Sequence, residues 1–136
     1  MEVLSQLYIG LGSGLLLVLL GVIFYKFPPK SINHIYGYRT RRSMLNQDTW
    51  DSANEFSSKW MVRFGVLTMV ISGVLYVLLP SYNALISILV MTVLVVIVIP
   101  ITEEHLKRHF TENGSAKSVV EEFDLPETGV ARGEEE

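Results

Sequence analysis

Three long apolar runs separated by short polar segments dominate the chain. They extend over residues 3–24, 60–79 and 84–101, and each holds 18 or more residues with few charges. A run of this length crosses the ~30 Å hydrocarbon core of a bilayer as a helix. A soluble helix would carry a narrower apolar stripe, whereas these runs are apolar nearly all round. We therefore predict an all-α membrane protein with three transmembrane helices, over about residues 3–25, 47–79 and 84–109.

The polar pattern before the second run predicts that its helix begins well outside the apolar region. Asn46 is a good N-cap, and Asp48 lies in the first turn, where a carboxylate suits the helix dipole. Nothing from there to Leu79 interrupts a helix. We expect a structured motif loop over residues 26–59 that runs into helix two, and a three-helix domain over residues 1–110.

One face of the predicted helix two is small and polar. Its members recur at helical steps: Trp50, Ala53, Asn54, Ser57, Met61, Gly65, Thr68 and Ser72. Small residues let membrane helices approach closely, so a packing seam is the favoured interpretation, and a polar groove for a ligand is the alternative. Gly10 and Gly14 form a G-x-x-x-G step in helix one, and with Gly65 and Gly73 they predict close packing of helices one and two.

Charge predicts the orientation of the helices. The segment from residue 26 to residue 59 holds six basic and three acidic side chains, a net charge of +3, while residues 80–83 carry no charge. Lys107 and Arg108 follow the third run. Cytoplasmic loops are enriched in Lys and Arg, so we expect a multi-pass protein of the cell membrane with its N-terminus outside and its C-terminus in the cytoplasm.

The motif loop carries more side-chain chemistry than a linker between helices needs. Its pattern N-x-x-x-G-Y-R-T-x-x-S-M-x-N-x-x-T-W-x-x-A-N covers residues 33–54 and resembles the signature of the SdpI family, the sporulation-delaying-protein immunity family of membrane proteins. The resemblance extends over roughly residues 24–79. The candidate partner-binding residues are Asn33, Gly37, Tyr38, Arg39, Thr40, Ser43, Asn46, Thr49, Trp50 and Asn54.

Four side chains of this loop have expected roles. Arg39 should make planar, bidentate contacts to a carboxylate, a phosphate or the loop's own carbonyls. Trp50 should anchor the loop at the level of the lipid headgroups, and Asn54 should hydrogen-bond across the helix seam. Arg41 and its neighbour Arg42 need only hold the loop against anionic lipid.

The resemblance implies a membrane immunity or signalling protein that binds a toxic peptide or a cytoplasmic regulator. Transport or flipping of a small lipid-like or peptide substrate is the alternative, and it would require a homo-oligomer because three helices rarely enclose a path. We expect no enzyme: Asp48 and Asp51 lie in the loop, but no nucleophile–base pair accompanies them. We also expect no cofactor and no nucleic-acid partner.

Three further motifs are set aside. "GLGSG" at residues 10–14 lacks the spacing of a phosphate loop. His105 and His109 are one helical turn apart, but no third ligand accompanies them, so we expect no metal site. The chain has no cysteine, which excludes thiolate sites.

The acidic segment 111–136 is expected to be disordered, and its "LPETG" at residues 125–129 is expected to be chance or a tag.

Overall fold

A computed structural model describes residues 2–118 of the chain. Helix α1 spans Glu2–Lys26, α2 spans Gln47–Leu78, and α3 spans Asn83–His109, with a single 3₁₀ turn, Pro80–Tyr82, between α2 and α3. Within residues 2–118 there is no β-strand, and an isolated bridge pairs Phe110 with Ala116. The all-α class with three long helices is therefore confirmed, and all three helices are long and apolar enough to cross a membrane.

The helices run up, down and up. At one end of the bundle the Gln6 side chain of α1 accepts a hydrogen bond of 3.2 Å from the backbone N–H of Ala84 in α3. At the other end the loop after α1 contacts the last turns of α3 through Tyr38. We call this second end the cap end. With 32 residues, α2 is about 48 Å long, so it projects beyond the ~30 Å hydrocarbon core.

Helices α1 and α2 meet along glycines. The buried positions of α1 are Gly10, Gly14, Leu17 and Gly21, which follow one another at steps of four, three and four. A Cβ built on Gly14 would lie 2.7 Å from the carbonyl oxygen of Gly65, and one on Gly65 would lie 2.7 Å from that of Gly14. Because only hydrogen fits between these backbones, the predicted close packing is confirmed, and we call this contact the α1/α2 seam.

Gly73 does not belong to the seam. A Cβ built there would meet nothing within 4 Å, so our expectation for this glycine was wrong. The predicted small, polar face of α2 is buried against α1, α3 and the loop, and of its members only Met61 is partly exposed. The face is thus a packing surface, and no open polar groove runs along it.

A buried polar cluster joins the helices at the end remote from the cap. The Asn83 amide oxygen accepts hydrogen bonds from Ser72 at 2.9 Å and Ser87 at 3.0 Å, and its NH₂ group donates to the Ser72 carbonyl at 3.0 Å. All three side chains are fully buried. The cluster closes the turn between α2 and α3, where unpaired polar groups in hydrocarbon would be costly.

Candidate functional site

The loop after α1 and the first two turns of α2 form a folded unit, residues 27–54, that we call the cap. Its foundation is the start of α2. The Asn46 side chain accepts a hydrogen bond of 2.9 Å from the Thr49 backbone N–H, and the Thr49 hydroxyl accepts one of 3.1 Å from the Asn46 N–H. This reciprocal capping box satisfies two of the free N–H groups at the helix start. The predicted N-cap is therefore confirmed.

A tight turn precedes the helix and is closed by hydroxyl groups. The buried Ser43 hydroxyl accepts from the Thr40 backbone N–H at 2.9 Å and lies 2.9 Å from the Tyr38 carbonyl oxygen. The Thr40 hydroxyl accepts from the Ser43 N–H at 3.2 Å. Thr49 in α2 then lies 3.2 Å from the Ser43 carbonyl oxygen. These motif hydroxyls fix the backbone of the cap.

Asn54 holds the other side of the loop. Its side-chain oxygen accepts a hydrogen bond of 2.6 Å from the Tyr38 backbone N–H, and its NH₂ group donates to the Trp50 carbonyl at 2.8 Å. Our expectation that Asn54 bonds across the helix seam was wrong, because its oxygen is occupied by the loop and its NH₂ group by the preceding turn of α2. Gly37 has φ +105°, and a Cβ there would lie 2.5 Å from the Asn54 oxygen, so this turn requires glycine.

Trp50 lies inside the cap and not at a lipid surface. Its side chain is fully buried, and its indole N–H donates a hydrogen bond of 2.9 Å to the carbonyl of Pro29, which is also buried. The expectation of a headgroup anchor was wrong here. The preference of tryptophan for membrane interfaces is an average over exposed positions, and in this chain the ring forms the centre of the cap.

Tyr38 and Arg42 connect the cap to α3 through Glu103, a residue that sequence reasoning did not select. The Tyr38 hydroxyl lies 3.1 Å from both the Ile99 carbonyl and the Glu103 carboxylate, and it shares one proton between these acceptors. Burial and then the Glu103 charge raise the pKa of Tyr38 far above its usual value, so the hydroxyl remains a donor.

Arg42 approaches the other oxygen of this carboxylate, with 3.9 Å between its Nε and Glu103 Oε2. Both side chains are only about a quarter exposed. Arg42 therefore has a protein partner, and our expectation that Arg42, like Arg41, only contacts lipid was wrong for this residue. Arg41 is exposed. Glu103 is the first acidic residue after the third apolar run, and this position was the available sign of the contact.

Arg39 and Asn33 lie at the outer edge of the cap. The Arg39 side chain is exposed and donates from Nη1 to the His34 carbonyl. Asn33 accepts hydrogen bonds from the N–H groups of Ile35 at 2.9 Å and Tyr36 at 3.1 Å, which forms a local turn. Within residues 2–118 no carboxylate pairs with Arg39, so most of its guanidinium faces outward.

The segment after α3 folds back onto the cap, which sequence reasoning missed. The Asn46 NH₂ group donates to the Gly114 carbonyl at 2.8 Å, and Thr111 donates its backbone N–H to the Ser115 carbonyl at 2.9 Å. We call residues 110–116 the strap. Disorder was expected from residue 111 onward, whereas residues 111–116 are ordered by these contacts. Residues 119–136, with the LPETG sequence, lie outside the described residues.

His105 and His109 line a groove between α2 and α3 beside the strap. The His105 ring stacks on Phe56 with 3.9 Å between ring centroids, and its Nε2 lies 3.1 Å from the Ser52 hydroxyl. The groove has a volume of about 400 Å³. In the part of the chain described, no group of three His, Cys, Asp or Glu side chains could hold a metal ion. The groove is thus an open, partly aromatic surface.

These features define a class of protein: a three-helix membrane protein whose first loop is folded into a cap and continues into the second helix. The chain belongs to the SdpI/YfhL protein family, whose model matches residues 30–102. It is 38% identical over 109 residues to a protein of Bacillus subtilis (strain 168) described as uncharacterized protein YfhL, covering 80% of this chain and 96% of that protein. No solved structure matches the chain significantly.

Proposed function

We propose that this chain is a membrane immunity or signalling protein that confers resistance to a toxic peptide by binding the peptide or a regulatory partner with its cap, without enzymatic turnover. One observation carries the proposal. The cap uses Tyr38, Ser43, Thr49, Trp50 and Asn54 to build its own rigid backbone, while Arg39 on that backbone faces outward. A planar guanidinium that projects from a rigid backbone is suited to bidentate recognition of a carboxylate or phosphate.

The proposal can be tested by measuring the survival of cells that express variants of the protein. The cells are challenged with a toxic peptide of the sporulation-delaying type. Arg39→Lys should lose protection while the protein still reaches the membrane, because lysine keeps the charge but lacks the fork. Arg41→Lys is the matched control, since Arg41 is also exposed, and it should protect fully. Full protection by Arg39→Lys, or equal loss from both variants, would contradict a specific role for Arg39.

Two further measurements separate the alternatives. Co-purification from native membranes with mass spectrometry should recover a peptide or protein with the wild type and less of it with Arg39→Lys. Substrate flux in vesicles that contain only the purified protein would instead favour a transporter or flippase.

We further propose that the cap faces the cytoplasm and that the 3₁₀ turn faces outside. The net charge of +3 between residues 26 and 59 supports this orientation. The cysteine-free chain allows a direct test with an impermeant thiol reagent on intact cells. Ser81→Cys, in the 3₁₀ turn, should be labelled, and Arg41→Cys, in the exposed part of the cap, should not. The reverse pattern would overturn the orientation.

A further inference from the structure

Arg63 is a charged residue in an otherwise apolar part of α2. It is the sole charged residue between positions 60 and 79, three residues beyond Trp60 and therefore about 4.5 Å further along the helix. Its side chain is exposed on the bundle surface, and no carboxylate of residues 2–118 forms an ion pair with it. A cation at the edge of a membrane span is costly unless an anion or water reaches it, so its position indicates a function.

The surroundings of Arg63 form a groove between α1 and α2 at the cap end. The groove has a volume of about 360 Å³ and is lined by Val22 and Tyr25 of α1 and by Lys59, Val62 and Arg63 of α2. Lys59 and Arg63 are one helical turn apart, so their side chains emerge on the same side of α2. The two valines give the groove an apolar floor.

Aromatic rings hold both cations near this groove. The Arg63 guanidinium carbon lies 4.9 Å from the centre of the Trp60 ring, and the Lys59 ammonium lies 5.7 Å from the centre of the Tyr25 ring. Such cation–π contacts orient a cation without neutralising it. Lys59 is already paired with Glu55 at 2.6 Å, which leaves the Arg63 charge without a partner among the described residues.

We propose that this groove binds the phosphate of an anionic phospholipid, with Arg63 as the principal contact and Lys59 as the secondary one. An arginine fork matches two phosphate oxygens at once. Basic pockets between membrane helices are suited to lipid headgroups, and the valine floor suits the start of an acyl chain. A soluble anion would gain nothing from that floor. Tyr25, which is exposed at the end of α1, and the exposed cations Lys59 and Arg63 place the groove at the headgroup level.

The full chain, purified in a neutral detergent, provides the test. Phosphatidylglycerol should raise the midpoint of thermal unfolding more than phosphatidylcholine does, and native mass spectrometry should show phosphatidylglycerol retained in preference. Arg63→Gln should raise the concentration needed for half of the stabilisation by about tenfold, because a charge-assisted hydrogen bond is lost. Arg63→Lys should lie between this variant and the wild type.

Lys107→Gln is the matched control, since Lys107 is exposed on α3 and its loss changes the net charge equally. It should bind phosphatidylglycerol as the wild type does. Equal weakening by Lys107→Gln would show a net-charge effect, and unchanged binding by Arg63→Gln would remove the proposed contact. Equal stabilisation by phosphatidylcholine, or by inorganic phosphate at the same concentration, would overturn a phospholipid site. The lipid preference of the wild type tests the site even if a variant folds poorly.

Discussion

The cap and the α1/α2 seam reach a fixed structure by opposite means. The cap is held by side chains that bond to backbone groups, such as Asn54 to the Tyr38 N–H and Trp50 to the Pro29 carbonyl. The seam is held by the absence of side chains, since Gly14 and Gly65 let two backbones touch. The comparison shows that a conspicuous motif and an inconspicuous glycine pair serve the same purpose, which is to place one segment firmly on another.

The difference follows from the surroundings of the two regions. An irregular loop cannot satisfy its own N–H and C=O groups, so the cap supplies hydroxyl and amide side chains as partners. A membrane helix has satisfied those groups already, and lipid gives little hydrophobic reason for helices to associate. Close van der Waals contact between small residues is then the main source of attraction. Few motif residues are therefore free to recognise a partner, and Arg39 is the clearest of them.

The largest expected effect comes from removing the centre of the cap. Trp50→Ala should lower the free energy of unfolding by about 3–5 kcal/mol, because a fully buried aromatic side chain leaves a cavity. Denaturant titration in detergent micelles measures this loss. Trp50→Phe keeps most of the ring volume but leaves the buried Pro29 carbonyl without its donor, so it should cost less, about 1–3 kcal/mol. Equal costs for both variants would mean that the hydrogen bond, and not packing, holds the cap.

The seam has a matched pair of glycines on the same helix. Gly14→Leu should destabilise the bundle by about 1–3 kcal/mol, because the new side chain would enter the space occupied by the Gly65 carbonyl and Met69. Gly12→Leu should be neutral or slightly stabilising, since a Cβ there meets nothing within 4 Å and leucine favours helix. Thermal unfolding in detergent measures both. A cost for Gly12→Leu equal to that for Gly14→Leu would show that the loss does not arise at the seam.

Periodic and local features were predictable from the sequence. The length of the apolar runs predicted the three helices, and the Asn46 N-cap predicted the start of α2. The recurrence of small residues on α2 predicted its packing face. The turn at Gly37, with φ +105°, is also a local feature, since glycine adopts this backbone conformation more readily than other residues. Each of these features depends on neighbours within a few positions, where spacing alone carries the information.

Contacts between distant parts of the chain were not predictable in the same way. Asn54 bonds to a backbone group 16 positions earlier, and Tyr38 reaches Glu103, 65 positions later. The positions of Asn54 and Tyr38 in the sequence do not identify these distant partners. Trp50 was predicted at the lipid surface because the distant residues that surround its ring cannot be identified from spacing. The strap was missed because its composition suggests disorder, while its order depends on Asn46, 68 positions before Gly114.

A smaller effect is expected where the cap meets α3. Tyr38→Phe removes the hydroxyl shared by Ile99 and Glu103 and should lower the free energy of unfolding by about 1 kcal/mol. Tyr36→Phe is the control, because the Tyr36 ring is exposed and its hydroxyl makes no hydrogen bond within residues 2–118. Denaturant titration of both variants measures the difference. An equal response of the two tyrosines would remove the proposed coupling between cap and α3.

The smallest effect on global stability is expected at Asn46, together with a local change in the motion of the strap. The Asn46 side chain contacts both α2 and the strap. Its oxygen caps α2 and its NH₂ group donates to Gly114 in the strap. Asn46→Ser keeps a capping oxygen and removes the amide donor, so the free energy of unfolding should change by less than about 0.5 kcal/mol. The strap amides, such as the Thr111 N–H that donates to Ser115, should nevertheless exchange with solvent faster because the strap loses its tether.

Hydrogen–deuterium exchange with mass spectrometry resolves the two effects in one experiment. Protection of the first turn of α2 should be unchanged in Asn46→Ser, while protection of residues 110–116 should fall. Asn46→Ala removes both functions and should lower protection in both segments, with a loss of stability of about 1 kcal/mol. If Asn46→Ser leaves the strap fully protected, the packing of Phe110 against Ala53 and Leu106, and not the amide donor, holds the strap on the cap.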